Sequence, residues 1–347
     1  MRYSRARIES FGYELAPVVV TSAELEERLE PLYRDLHLQP GQLEALTGIE
    51  ERRWWEPGMQ VGDAASAAAV KAVENAGVDP DTVDAVVYTG VCREDFEPAT
   101  ACKVAAAVKA SAGAAVYDVS NACLGAMNGV VDLANRIELG QIRRGLVVAC
   151  ETAREINDVM IRRMLENRNM EFFKTALTTL TGGSSAVAIL VGPAGDDPAA
   201  SRRILGGAWQ TAPEWHRLCR WGLETDASGR TQPFTNTDSG SVLKYGVELG
   251  SRTWRAFLER LGWARDQVDR IICHQVGLGH QESILRALGI PPEKDFPTYR
   301  WLGNMGTVSL PLTAALAEER GHLRPGHRVG FLGIGSGLNC MMIGVRW

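Results

Sequence analysis

One cysteine of the seven stands where a thiol can act as a nucleophile. Cys123 lies in DVSNACLGAMNGVVDLANRI, where an apolar run reading as a strand (114–120) meets Asn121-Ala122 and then a helix-forming stretch (124–139) that opens on small residues. Such a turn puts the thiol at a helix N-terminus, where the macrodipole and free amides favour a thiolate. It also puts the sulfur at the end of a strand, where α/β folds bind ligands. The expectation is a lowered thiol pKa and covalent chemistry at sulfur. The alternative, on these residues alone, is a packed core cysteine.

A nucleophilic cysteine needs proton-transfer and hydrogen-bonding partners. Of six histidines, His274 alone ends a convincing strand, in IICHQVG. Asn304 sits in the Gly-flanked loop WLGNMGTVSLP, a context in which Asn is ordinarily a turn residue. His37, His280, His322 and His327 read as surface or helix residues, and His216 has no assignment. The remaining cysteines (Cys92, Cys102, Cys150, Cys219, Cys273, Cys340) form no CxxC pair, which argues against a disulfide framework or a zinc site.

The elements that must carry these groups alternate. Residues 63–76 are Ala-rich and predict a helix closed by Gly77; VDAVVYTGV (83–91) predicts a buried strand; 99–111 predicts a helix; GLVVACE (145–151) and SAVAILVG (185–192) predict further strands. Strands separated by helices imply βαβ units and a sheet covered on both faces. The second half repeats the order. A helix at about 241–261 ends at Gly262, a turn with Asp266 follows, then VDRIICHQVG (268–277), and HRVGFLGIGSG (327–337) echoes the strand at 145–151. Two halves imply an internal duplication with its boundary in the Pro/Asp/Gly-rich stretch near 195–205. Met and Phe at helical spacing across 155–180 suit packing or the wall of an apolar tunnel, with packing favoured.

Composition removes several classes. The 347 residues suffice for two core-sized units, and 45% hydrophobic with 23% charged residues is ordinary for a soluble globular chain. Net charge is −5 without blocks of like charge, so no nucleic-acid binding is expected. No apolar run reaches the roughly 18 residues of a membrane span, and the N-terminus lacks a secretory h-region. The expected location is the cytoplasm.

Taken together, Cys123 in NACLG, His274 in HQV, Asn304 in GNMG and the closing GIGSGLN resemble the ketoacyl-ACP synthase III group of the thiolase superfamily, over essentially the whole chain. The resemblance implies an α/β thiolase fold, with two pseudo-symmetric βαβ-rich halves in a five-layered αβαβα arrangement. Residues 1–195 would carry the nucleophile and 196–347 the catalytic His and Asn. EPAT (97–100), DVSNACL (118–124) and LGIGSGLNC (332–340) are similar, more narrowly, to the acyl-CoA condensing enzymes of head-to-head olefin biosynthesis. Those join two fatty acyl-CoAs without decarboxylation to give a β-keto acid. Two departures from the decarboxylating synthases fit that group. Gly277 stands where they carry the Asn of HQAN, and Glu97 stands where they carry an aromatic residue before proline.

The resemblance implies roles. Cys123 is acylated by a first acyl-CoA, and the backbone N–H groups of Cys123 and Ser336 form the oxyanion hole, each such donor worth ~3 kcal/mol of barrier. Glu97, reaching in from the partner of a homodimer, takes the α-proton of a second acyl-CoA while His274 and Asn304 hold the enolate oxygen. Arg52, Arg53 and Trp54, after GIE, border the pantetheine entrance and are candidates for CoA contacts. Acyl-CoA is substrate, no metal or other cofactor is expected, and downstream pathway enzymes would take the product. GIGSG is not a dinucleotide loop, because it leads into an apolar terminal strand and opens no helix. Three alternatives stay open: a decarboxylating synthase using malonyl-ACP, an acyltransferase acting on a small acceptor, and a silent acyl-binding subunit.

Overall fold

The computed structural model describes residues 1–195, 202–225 and 229–347. The chain opens with β1 (Ala6–Leu15), β2 (Val18–Thr21), the short helices α1 (Ser22–Arg28), α2 (Glu30–Asp35) and α3 (Gln42–Thr47), and β3 (Glu51–Trp54). Next come α4 (Val61–Ala76), β4 (Ala85–Tyr88), α5 (Thr100–Val108), β5 (Ala115–Asp118), α6 (Gly125–Glu138), β6 (Gly145–Glu151), α7 (Arg154–Glu166), α8 (Met170–Ala176) and β7 (Ser185–Pro193). After residues 196–201 follow β8 (Arg203–Thr211), β9 (Cys219–Thr225), β10 (Thr231–Thr237), α9 (Ser239–Leu261), β11 (Arg270–Cys273), α10 (Leu278–Leu288), α11 (Tyr299–Leu302), α12 (Ser309–Glu319), β12 (Arg328–Gly335) and β13 (Asn339–Arg346).

Nine strands form one sheet in the order β11-β12-β13-β8-β1-β7-β6-β4-β5. Its two arms meet at β1 and β8, which pair only at Arg7 and Arg203. Outward from that seam each arm runs through two antiparallel pairings and then a parallel one: β1-β7-β6-β4 on one side, β8-β13-β12-β11 on the other. The first arm extends by one more parallel strand, the edge strand β5. Local elements repeat as well. Both α4 and α9 stop at a left-handed glycine, Gly77 and Gly262, and a 3₁₀ turn then leads into β4 or β11.

Side chains set the layers. Helices α4 and α5 cover the outer face of the first arm, packing Ala65, Ala69 and Val104 on Val86, Val148 and Ala188. Helices α9 and α10 cover the outer face of the second, packing Leu249, Phe257 and Leu285 on Ile271 and Met342. Between the arms lie α6 and α12, whose Met127, Val130, Leu133, Leu310 and Ala314 share one core with Val147, Val329 and Met341. Strands such as β6 are buried on both faces for this reason, and read as continuous apolar runs. The result is the expected αβαβα arrangement of the thiolase fold.

Some expectations change in detail. The strand expected over 83–91 ends at Tyr88, because the N–H groups of Val91 and Cys92 turn to the Glu151 carboxylate instead of a neighbouring strand. The strand expected over 268–277 is confined to Arg270–Cys273, since α10 starts at Leu278. The β9–β10 hairpin has no counterpart in the sequence reading. Across 155–180, α7 and α8 bury Met160, Met164 and Phe173 against Leu25 and Leu29, which is packing. The expected boundary between 195 and 196 falls at the edge of residues 196–201, which lie outside the described residues.

Candidate active site

Cys123 stands in a 3₁₀ turn between β5 and α6, reached through Ala122 in the left-handed region at φ 45°. A non-glycine residue there is strained by about 1–2 kcal/mol, and such strain concentrates at functional turns. The turn is held from outside. Ala126 N–H donates to Thr307 Oγ1 at 2.7 Å, and a Cβ on Gly335 would lie 3.4 Å from the Cys123 nitrogen. The end of β12, with Ser336 next in the chain, therefore packs against the nucleophile turn.

His274 follows β11 and donates its N–H to Leu332 O at 3.0 Å. Beside Leu332 on the neighbouring strand is Gly333, where a Cβ would meet Met127 Sδ at 2.4 Å and Leu124 Cδ2 at 2.6 Å. The strand ends bearing His274 and Ser336 thus converge on the first turn of α6. Asn304 enters from a third direction. Its backbone is zipped to the segment before β7, with Asn304 N–H donating to Thr181 O at 2.8 Å and Gly183 N–H to Asn304 O at 2.9 Å. Its Oδ1 accepts from Gly306 N–H at 3.1 Å, so the side-chain donors are those of the amide NH₂.

The protonation states differ from expectation at one point. Burial, then Cys219, then Glu151 push the Cys123 thiol up to about 12. Helix placement alone predicts a lowered value; in the resting site desolvation outweighs it. His274 moves the other way, down to about 4, through burial and then the neighbouring His280, and its Nδ1 has no partner among the described residues. Thiol and imidazole are both neutral near pH 7, and a neutral imidazole carries one lone pair able to accept a proton.

Glu97 is exposed and stands apart from these groups, next to a fully exposed Phe96 on the 93–98 loop. Both ends of that loop are anchored. Val91 and Cys92 donate to Glu151 at its root, and beyond its tip Thr100 and Ala101 donate to Asp118. The loop tip points away from its own chain's interior.

Two of the three expected CoA contacts are corrected. Arg52 is 0% exposed and donates to Val20 O at 3.3 Å and Ser22 Oγ at 3.0 Å, so no face is left for a phosphate. Trp54 is 2% exposed, its Nε1 donating to Gly182 O at 3.1 Å. Both buttress the wall behind Asn304: a Cβ on Gly303 would lie 3.0 Å from Arg52 Cβ, and Ser184 N–H donates to Arg53 O at 2.7 Å. Only Arg53 keeps accessible surface.

Two residues near the site escaped sequence reading. Glu151 is a buried carboxylate raised to about 6 by burial. His280, which sequence left as a surface or helix residue, is shielded enough that burial lowers its pKa, and its charge would oppose that of His274. The available signals were a charged residue ending an otherwise apolar strand and a second histidine in the first turn of the next helix. Among the described residues no group of His, Cys, Asp and Glu could hold a metal ion.

Comparison with known proteins agrees with this fold. The thiolase N-terminal domain matches residues 57–184, and the C-terminal domain of 3-oxoacyl-[acyl-carrier-protein] synthase III matches 258–347. The chain is 55% identical to an acyl-CoA:acyl-CoA alkyltransferase of Shewanella oneidensis and 34% identical to one of Xanthomonas campestris, each over 100% of both chains. Among solved structures, a cysteine-to-alanine variant of Xanthomonas campestris OleA superposes with TM-score 0.93, covering 100% of this chain and 98% of that one at 34% identity. A cysteine-to-serine variant of the same enzyme, with bound lauric acid and lauroyl-CoA, superposes with TM-score 0.92, covering 99% and 100%. With that identity over its full length, the chain belongs to the acyl-CoA:acyl-CoA alkyltransferase family of thiolase-fold condensing enzymes.

Proposed function

We propose that this protein condenses two fatty acyl-CoA thioesters head to head, without decarboxylation, to give a β-keto acid. In the first half-reaction the Cys123 thiol gives its proton to neutral His274 as sulfur attacks the thioester carbonyl. The new S–C bond makes acyl-Cys123, the bond to CoA sulfur breaks, and the departing thiolate takes the proton back from His274. The oxyanion accepts from the N–H groups of Cys123 and Ser336. In the second, the Glu97 carboxylate of a second copy removes the α-proton of the next acyl-CoA, and His274 and Asn304 donate to the enolate oxygen. The enolate carbon attacks the acyl-Cys123 carbonyl, a C–C bond forms, the C–S bond breaks, and the departing Cys123 thiolate regains a proton as Glu97 gives up the one it took. Hydrolysis of the resulting β-ketoacyl-CoA yields the β-keto acid and CoA. Proton transfer and thioester exchange suffice, with no cofactor beyond the substrate's own CoA.

The observation that carries this reading is position 277. A Cβ on Gly277 would lie 2.8 Å from Thr47 O, a backbone atom. That leaves little space for the asparagine of a decarboxylating synthase, which supports a carbanion formed by a base. In our reading Glu97 supplies that base from a second copy. The exposed Phe96 and Glu97 and the unpaired edge of β5 are features that a second copy would cover. Relatives support the chemistry through their name, and solved variants of the Xanthomonas enzyme replace a cysteine, a glutamate and a histidine. We read Arg53 as the remaining CoA contact and residues 1–195 and 196–347 as the two halves. The cytoplasm suits the seven unpaired cysteines, and no described helix is long and apolar enough to cross a membrane.

The test is mass spectrometry of products from the purified protein with myristoyl-CoA alone. A β-keto acid, or the symmetric ketone from its spontaneous decarboxylation, is the expected result. Condensation that requires a malonyl thioester would overturn the reading.

A further inference from the structure

Glu151 ends β6 as a 4%-exposed carboxylate for which the scheme above has no use. It accepts the N–H of Val91 at 2.9 Å on one oxygen and the N–H of Cys92 at 3.2 Å on the other. The N–H of Thr307 also donates to it. Gly306 lies against it, since a Cβ there would be 3.3 Å from Glu151 Oε1. Its own carbonyl accepts from Trp55 Nε1 at 3.0 Å, which fixes the strand end. The contacts of its carboxylate come from two separate segments. Val91 and Cys92 are the root of the loop carrying Glu97. Gly306 and Thr307 follow Asn304, and Gly306 N–H is the donor that orients the Asn304 amide. Thr307 Oγ1 in turn accepts from Ala126, in the first turn of the Cys123 helix.

We propose that Glu151 is a positioning residue of this site, a clamp that ties the root of the Glu97 loop to the Asn304 loop and, through Thr307, to the Cys123 helix. The chemistry of the position favours a carboxylate. Three diverging backbone N–H groups need acceptors where no strand supplies them, and a neutral amide would bring its own N–H₂ into a ring of donors. Charge here is costly. The titratable groups around it are the thiols of Cys92, Cys123 and Cys150 and the Tyr88 hydroxyl; among the described residues no cation faces it. An unpaired buried charge that also opposes the Cys123 thiolate is a poor choice for packing alone. It fits a group kept ionised to hold acceptor geometry on both loops. On protonation below about pH 6, one oxygen becomes a donor and a loop loses its anchor.

The inference rests on the condensation reading for its kinetic consequence, but the clamp can be tested without it. Hydrogen exchange of Glu151→Gln against the wild type at pH 7 should show faster exchange in 90–99 and in 304–308 together. Unchanged exchange in either segment would overturn the proposal whatever the enzyme makes. With myristoyl-CoA, the variant should acylate Cys123 within a few-fold of the wild-type rate yet condense on the order of 10-fold or more slowly. Glu151→Asp should recover part of that loss and keep the wild-type acid limb near pH 6, which Glu151→Gln should lack. A Glu151→Gln enzyme that keeps both its condensation rate and that limb would also overturn it. If the glutamine variant fails to fold, the wild type itself serves: exchange corrected for intrinsic rates should rise in both segments between pH 7 and pH 5, and a flat response refutes the clamp.

Discussion

Gly277 and Thr47 meet backbone to backbone: a Cβ added at Gly277, whose φ is 156°, would stand 2.8 Å from the Thr47 carbonyl oxygen. The end of α3 and the start of α10 approach this closely along a seam, since a Cβ on Gly48 would likewise lie 2.7 Å from Leu278 Cβ. Side chains are excluded by backbone, which cannot swing away as a rotamer can. Gly277→Asn is therefore expected to cost about 1–3 kcal/mol, the range for overpacking a fitted interior. It should not confer use of malonyl thioesters. Urea denaturation gives the first quantity and product analysis the second; an unchanged midpoint with malonyl-dependent product would show that space at 277 does not decide the chemistry.

The two titrating groups of the site pull stability in opposite directions as pH falls. His274 is lowered from 6.5 to about 4, so the unfolded chain protonates first and stability is lost as pH falls from 6.5 toward 4. Glu151 is raised from 4.5 to about 6, so the folded chain protonates first and stability is gained as pH falls from 6 to 4.5. Between pH 6 and 4.5 the two offset each other. Relative to wild type, His274→Gln should gain stability between pH 7 and pH 5, while Glu151→Gln should lose it. Urea midpoints at the two pH values check the signs, and equal shifts in both variants would contradict the assignment.

What the sequence disclosed follows from how its signals arise. Cys123, His274 and Asn304 sit where a strand or loop gives way to a helix, and such junctions leave a local mark of small and Gly residues beside an apolar run. The buried strands β6 and β7 were legible within a residue because both faces are covered and the whole run is apolar. Interactions with no local mark were not legible. Arg52 looks like a solvated arginine in ERRW, and only the packing of β3 against the segment before β7 shows that its guanidinium is enclosed. The rise of the Cys123 pKa was hidden for the same reason, since it comes first from burial and then from the charges of Cys219 and Glu151, all set by residues distant in sequence. The β9–β10 hairpin alternates poorly: Trp221 and Leu223 are exposed, so no clean apolar face announces it.

Glu97 and Cys123 should be separable by complementation. Glu97 is exposed, so Glu97→Ala should change stability by no more than about 0.5 kcal/mol. It should leave acylation of Cys123 intact and lower condensation by roughly 10²–10⁴, the usual worth of a general base. Cys123→Ala should abolish acylation. Co-expressed, the two inactive variants should form mixed dimers in which, on the proposed arrangement, one site has both Cys123 and a second copy's intact glutamate. Activity returning in the mixture is the expected result; silence in purified mixed dimers would mean that Glu97 serves its own chain or is not the base.

Arg52 gives the sharpest separation between a binding and a structural role. Its guanidinium is enclosed, stays cationic with a pKa lowered to about 10 by burial, and is held by Val20 O and Ser22 Oγ. Its stem backs Gly303, the residue before Asn304. Arg52→Ala removes a large enclosed side chain, strands the two acceptors and loosens the wall behind Asn304. Losses of about 2–5 kcal/mol are typical of emptying a buried site of this size. Because no phosphate can reach it, KM for acyl-CoA should stay within a few-fold while the melting temperature and kcat fall together. A raised KM at unchanged stability would restore Arg52 as a CoA contact. Arg53→Ala is the matched control: the residue is only half-buried, so a phosphate contact there would move KM with little change in melting temperature.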